Sequence, residues 1–179
     1  NQAIQEQPGT KTTERPLYSP GLEGVIAGES ALCQVDEGEA GLRYRGYAIG
    51  DLAKWSRFEE VAYLLLIGHL PTRSELDSFS TLLRGHRVLP DPVQRFIDSL
   101  QPGLHPMDVL RTGISLLGLS DPDAQDGSHE ANLRKSMRLL SQIPLLIAHS
   151  YRVMVGTVPQ RSDESRDFAQ HLLHLVAGH

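Results

Sequence analysis

The chain has 179 residues, 40% of them hydrophobic and 22% charged, and a formal net charge of -5. That length suits one domain burying roughly 70% of its unfolded surface, and an acidic chain without a basic stripe argues against nucleic acid or anionic membrane surfaces as partners. The lone Cys33 excludes an internal disulfide framework or a cysteine-based metal site and fits a reducing cytoplasm, and no apolar run approaches the ~20 residues of a membrane span.

Residues 1–20, rich in Gln, Thr, Pro and Glu, have too few large apolar side chains to offset ordering entropy and read as a flexible tail. Over 25–35, Ala31, Cys33 and Val35 share one face of an extended segment. The turn-rich DEGEAG at 36–41 leads into a half-buried strand in which Leu42, Tyr44 and Gly46 alternate with Arg43 and Arg45, so a β-hairpin is expected. Gly46 and Gly50 then pass the chain into a small helical turn.

Everything after that turn reads as helix. Ser56 with Glu59 forms a capping-box pattern for a helix carrying Phe58, Val61, Ala62, Leu64 and Leu65. Tyr63, Leu66 and Ile67 on its other sides predict burial all round, and Gly68 and Pro71 stop it. Thr72 with Glu75 repeats the box for a helix with Leu76, Phe79 and Leu83 inward. Asp91 and Pro92 supply a cap and first turn for a third helix, striped by Val93, Phe96, Ile97 and Leu100. Pro106 opens the next, whose Met107, Leu110, Ile114 and Leu117 form a narrow packing seam, with Gly113 and Gly118 allowing close approach. An Asp- and Gly-rich loop at 120–128 precedes a long apolar helix around LLSQIPLLIAHSYRVMVG, in which Pro144 removes a backbone donor and should bend the axis. The last helix spans roughly 163–177, with Phe168, Leu172, Leu175 and Val176 on one side. The fold class is mainly α with a small N-terminal β-hairpin.

Eight histidines invite a metal or acid–base reading. His171 and His174 lie three apart with His179 following, but there is no HExxH, no cysteine partner and no carboxylate at matching spacing. They read as two partly exposed helix histidines, His171 beside the apolar stripe and His174 further round. His105, just before Pro106, reads as a hydrogen-bonding partner of its helix's first turn, and His149 as a satisfied core histidine. Arg43, Arg45 and Arg111 carry guanidinium forks that suit carboxylates. On a strand's polar face the first two default to solvated arginines, and Arg111, opposite the apolar seam, to a structural ion pair. No phosphate-binding glycine loop and no Ser-His-Asp or Cys-His arrangement occurs, so residue chemistry assigns no catalytic, cofactor-binding or metal residue.

Six stretches in order nevertheless carry a resemblance. They are GLEGVIAGESALCQVD (21–36), LRYRGYAIGDLA (42–53), FEEVAYLLLIGHLPT (58–72), HPMDVLRTGISLLG (105–118), LLSQIPLLIAHSYR (139–152) and FAQHLLHLVAG (168–178). In order and spacing they resemble the N-terminal half of the citrate synthase family, which includes the 2-methylcitrate synthases. The resemblance implies a citrate-synthase-like helical fold. It also implies a parent activity that condenses acetyl-CoA or propionyl-CoA with oxaloacetate, without a metal. An aspartate takes the proton from the thioester's carbon, one histidine stabilises the enol and another polarises the oxaloacetate carbonyl. Those histidines belong to HADHE-like and HGGAN motifs, neither of which occurs here.

Residues 21–179 are therefore expected to be an incomplete helical domain whose catalytic half is absent, binding no cofactor and inactive alone. In the family, helices corresponding to 106–118 and 130–155 pair across a dimer interface, so a homodimer through them is expected. The competing reading is a natural short homologue, non-catalytic, serving as a dimerisation or regulatory module.

Overall fold

The computed structural model describes residues 41–178 together with 21, 24, 25 and 28–35. The expected tail over 1–20, the DEGEAG turn up to Ala40 and His179 lie outside the described residues. The chain divides into a leading unit, Asn1–Ala31, whose described residues are all exposed, and a body, Leu32–His179.

The body opens with three antiparallel strands in the order β1 (Cys33–Val35), β2 (Leu42–Tyr44), β3 (Tyr47–Ala48). Cys33 faces Tyr44 and Val35 faces Leu42, which is the expected hairpin in shortened form. The extended segment over 25–35 contributes only its last three residues as strand, and these are exposed. As the sheet's edge, β1 pairs only with β2, while helix α1 (Ile49–Trp55) packs on β2 and β3. The third strand arises from a two-residue turn at Arg45 and Gly46, whose φ angles of 48° and 90° have the sign a type I′ hairpin needs. A left-handed arginine is strained, and two bonds offset this: its N–H donates to the Leu32 carbonyl and its guanidinium to the Leu65 carbonyl, at 3.0 and 3.1 Å.

Helix α2 (Phe58–Ile67) starts one residue later than the sequence suggests, because the Arg57 N–H donates to the Glu60 carboxylate at 2.8 Å. Glu59 is thereby free to turn inward. Of the apolar residues of α2 only Leu64 is fully buried, and Phe58 and Ile67 are exposed, so the expected burial all round is not met: one flank faces an open groove. The Thr72–Glu75 box forms as read and opens α3 (Arg73–Gly85), with Phe79 and Leu83 inward. In α4 (Asp91–Asp98) the cap position falls to Pro90, while Val93 and Ile97 enter the core as expected.

Helix α5 (Pro106–Ser120) begins where the sequence places it, but its buried stripe is Val109, Gly113 and Leu117. Met107 and Ile114, assigned to the seam, face outward. The reason is steric. A Cβ on Gly113 would lie 2.5 Å from Leu146 Cδ1, so the glycine face is the one on which α6 (His129–Met154) packs. Gly118 meets nothing within 4 Å. Pro144 is buried inside α6, which runs on as one helix.

Helix α7 (Phe168–Ala177) starts at Phe168 rather than near 163. Asp167 caps it by accepting from the Gln170 N–H, whereas the Asp163 carboxylate is occupied by Ser165 and Arg166 in the preceding turn. Val93, Ile97, Leu100, Val109, Leu117 and Leu146 form the main core, and Leu145, Ala148 and Leu175 join α6 to α7.

The α5–α6 connection is clamped by ions. Arg138 donates to Asp121 and Asp123 at 2.6 to 2.8 Å, and Arg134 grips Asp123 with two bonds. Bonds from Arg134, then Arg138, hold the Asp123 carboxyl well below the usual range. Burial pushes Asp121 the other way, but Arg138 and the Asp123 N–H leave it lowered on balance. Carboxyls depressed in the fold give stability that is complete above their unfolded pKa near 4 and is lost as pH falls through the folded values. Arg138→Ala is therefore expected to lower the urea midpoint at pH 7, and its deficit should shrink below about pH 4. A deficit unchanged into that acid range would mean the clamp acts by packing rather than charge.

Candidate functional site

The side chains that a sequence reader would test for chemistry are occupied in holding the fold. His105 Nδ1 accepts from the Met107 N–H at 3.3 Å and Arg111 pairs with Asp108 at 3.0 Å, as expected of both. Arg43 donates to the Gly46 carbonyl inside its own hairpin. Arg45 departs from expectation: instead of being solvated it reaches the last turn of α2, where cations are favoured. Cys33 is exposed on β1.

The histidines gather where the sequence kept them apart. His171 is 2% exposed, not partly exposed, and its Nε2 lies 2.8 Å from Ser162 Oγ. The helical wheel put it at the rim of the apolar stripe, but the chain returns over α7 and covers it. His149 donates through Nε2 to the Gln160 carbonyl at 3.1 Å, and His174 to the Arg161 carbonyl at 3.2 Å. His149 is not fully satisfied, since its Nδ1, like that of His174, is buried without a partner among the described residues. Beside them Arg87 is buried, donating to the carbonyls of Asp163 and Arg166. Burial pushes its guanidinium pKa down, as does Arg84, while Glu59, Asp167 and Glu164 pull the other way.

Ser162 and His171 have the spacing of a nucleophile and its base. Burial, then the charge of Arg87, pushes the His171 imidazole down to about 4. A base that weak at neutral pH is poorly matched to taking a proton from serine. Among the described residues, no group of three His, Cys, Asp or Glu could hold a metal ion, and no helix is long and apolar enough to cross a membrane.

What stands out instead is uncovered apolar surface along α6. One groove of about 610 Å³ runs between α5 and α6, lined by Met107, Leu110, Ile147, Tyr151 and Met154 among others. A second, of about 570 Å³, lies between α2, α6 and α7 and is lined by Leu65, Leu66, Leu140, Ile143 and Leu172. Ile147 borders both. Met107 is 61% exposed, Tyr151 50% and Ile147 43%, so the three form a contiguous exposed apolar strip along the first groove. The first groove borders the two helices, 106–118 and 130–155, that the sequence analysis singled out for packing. The sequence could not rank the two apolar stripes of α5, because a glycine scores as no hydrophobe yet decides which stripe α6 approaches.

Comparison with known proteins supplies the relationship. Residues 21–179 match the family model described as citrate synthase, C-terminal domain. The chain is 41% identical over 167 residues to the 2-methylcitrate synthase of Shewanella oneidensis, covering 92% of this chain and 43% of that protein. It is 39% identical over 165 residues to the 2-methylcitrate synthase of Mycobacterium tuberculosis, covering 92% and 42%. The crystal structure of citrate synthase from Pyrobaculum aerophilum superposes with a TM-score of 0.81 at 29% identity, covering 98% of this chain and 47% of that one. The chain thus spans less than half the length of these relatives.

Proposed function

The chain belongs to the citrate synthase family, and we propose that it is the N-terminal portion of a citrate or 2-methylcitrate synthase. The whole enzyme condenses acetyl-CoA or propionyl-CoA with oxaloacetate, and the part played by these residues is scaffold. The HADHE-like and HGGAN motifs that bear the family's histidines do not occur in this sequence. The observation that carries the reading is the engagement of the candidate groups: the arginines at 43, 45 and 111 and the histidines at 105, 149, 171 and 174 all bond within the fold. The portion holds no cofactor, acyl-CoA being a substrate of the complete enzyme, and the free thiol of Cys33 suits the cytoplasm. Purified chain is expected to release no CoA thiol from either acyl-CoA with oxaloacetate. Turnover above background would overturn the scaffold reading.

Two copies are proposed to pair through α5 and α6 about a twofold axis, each covering the other's Met107, Ile147 and Tyr151. Sedimentation at micromolar concentration is expected to give a dimer, and Ile147→Lys a folded monomer, since the lysine charge would lose its water in the interface. An Ile147→Lys chain that dimerises as tightly as the parent would move the interface elsewhere.

A further inference from the structure

The connection between α6 and α7, residues 155–167, has no helix or strand of its own, yet it is fastened at both ends and in the middle. Arg152 Nε donates to the Val158 carbonyl at one end, and Arg87 to the carbonyls of Asp163 and Arg166 at the other. Between these arginine anchors, three imidazoles from two helices meet three consecutive residues: His149 at Gln160, His174 at Arg161 and His171 at Ser162. Beside it lies a cleft of about 370 Å³, with Pro159 to Ser162 as one wall and Arg87, Gln94, Leu145 and His149 opposite.

We propose that this connection is a proton-sensitive strap, latched by His149 and His171 while they are neutral and released in its middle when they are protonated. The arginine anchors do not titrate in the accessible range, so release is confined to the stretch between them.

The surroundings decide the sign. His171 faces Arg87 from beyond α3, His149 from α6, His174 on its own helix and Asp163 from the strap. Only Asp163 favours the charged imidazole, and burial, then Arg87, outweigh it. His149 faces Arg152 on α6 and Asp98 on α4. Its bond to Gln160 and the Asp98 charge favour protonation, but burial, the largest influence, lowers its pKa. Protonation would also give His149 a buried Nδ1–H without an acceptor among the described residues.

With the His171 pKa near 4 latched and an ordinary 6.5 when released, the released form binds more protons between those values. Latching is therefore fully favourable above pH 6.5 and weakens as pH falls towards 4. At pH 5 this one histidine raises the released-to-latched ratio by about 20-fold over its value at neutral pH.

A pH titration of the 179-residue chain, followed by ¹H–¹⁵N and histidine ¹H–¹³C NMR, tests the strap. The amide resonances of Gln160, Arg161 and Ser162 are expected to shift with the midpoint of His171 while those of α5 and α6 hold. His171→Gln, a neutral hydrogen-bonding replacement, should abolish that transition. Should it not fold, His149→Gln, at the half-buried rim, should raise the His171 midpoint by removing one repelling imidazole. Strap resonances that ignore His171, a transition shared by the whole chain, or a midpoint indifferent to His149→Gln would each overturn the proposal.

Discussion

Truncating Leu146 to alanine is expected to cost about 3–5 kcal/mol of folding free energy. The side chain is fully buried, belongs to the main core with Val93, Ile97, Val109 and Leu117, and is the residue that α6 sets against the glycine of α5. Gly113→Ala acts on the same contact from the other side. Its new methyl would meet Leu146 Cδ1 and Cδ2 at 2.5 and 2.7 Å, distances at which something must move. Overpacking of this kind costs about 1–3 kcal/mol and alanine favours the helix by about 1 kcal/mol over glycine, so the net cost is expected to be about 0–2 kcal/mol.

The two changes should not add. Once Leu146 is alanine, the atoms that Gly113→Ala would strike are gone, and the new methyl partly fills the cavity left behind. The double variant is therefore expected to be more stable than the sum of the singles predicts by about 1–2 kcal/mol. Urea unfolding of all four proteins at one fixed concentration measures that coupling without confusing it with assembly. Additive costs would mean that α5 and α6 separate freely, and that the glycine has no special place in their packing.

That contact also shows where sequence reading succeeds and where it stops. Signals that act within four residues were legible: the Thr72–Glu75 box, the start of α5 at Pro106 and the end of α2 at Gly68 are fixed by local hydrogen bonding and backbone conformation. Where two local solutions competed, the sequence pointed to the wrong one, placing the start of the last helix near 163. Asp163 and Asp167 are both able to cap α7, and the structure spends Asp163 on Ser165 and Arg166. Long-range pairings were invisible. Arg45 gave no sign of its reach to α2, and His171 none of the strap that covers it, because each depends on chain far away in sequence. As for a functional site, the collinear motifs were informative about kinship where single residues were not, since the residues that invite chemistry serve structure here.

Glu59 is the most consequential of these distant pairings. It is 7% exposed on α2, and its Oε1 accepts from the Phe168 N–H at 2.8 Å across 109 residues of sequence. Phe168 is the first residue of α7, so this N–H is one of the donors that a helix leaves unsatisfied, and a carboxylate there meets the positive end of the helix. The Phe58 and Phe168 rings stack beside it, 3.6 Å apart and 11° from parallel, and the buried Arg87 draws compensation from the same charge. Glu59→Gln keeps an oxygen in place and is expected to cost about 1 kcal/mol. Glu59→Leu strands the N–H and removes the charge facing Arg87, with an expected cost of about 3 kcal/mol. Equal costs for the Gln and Leu variants by urea unfolding would show that the aromatic stack, and not the carboxylate, fastens α7 to α2.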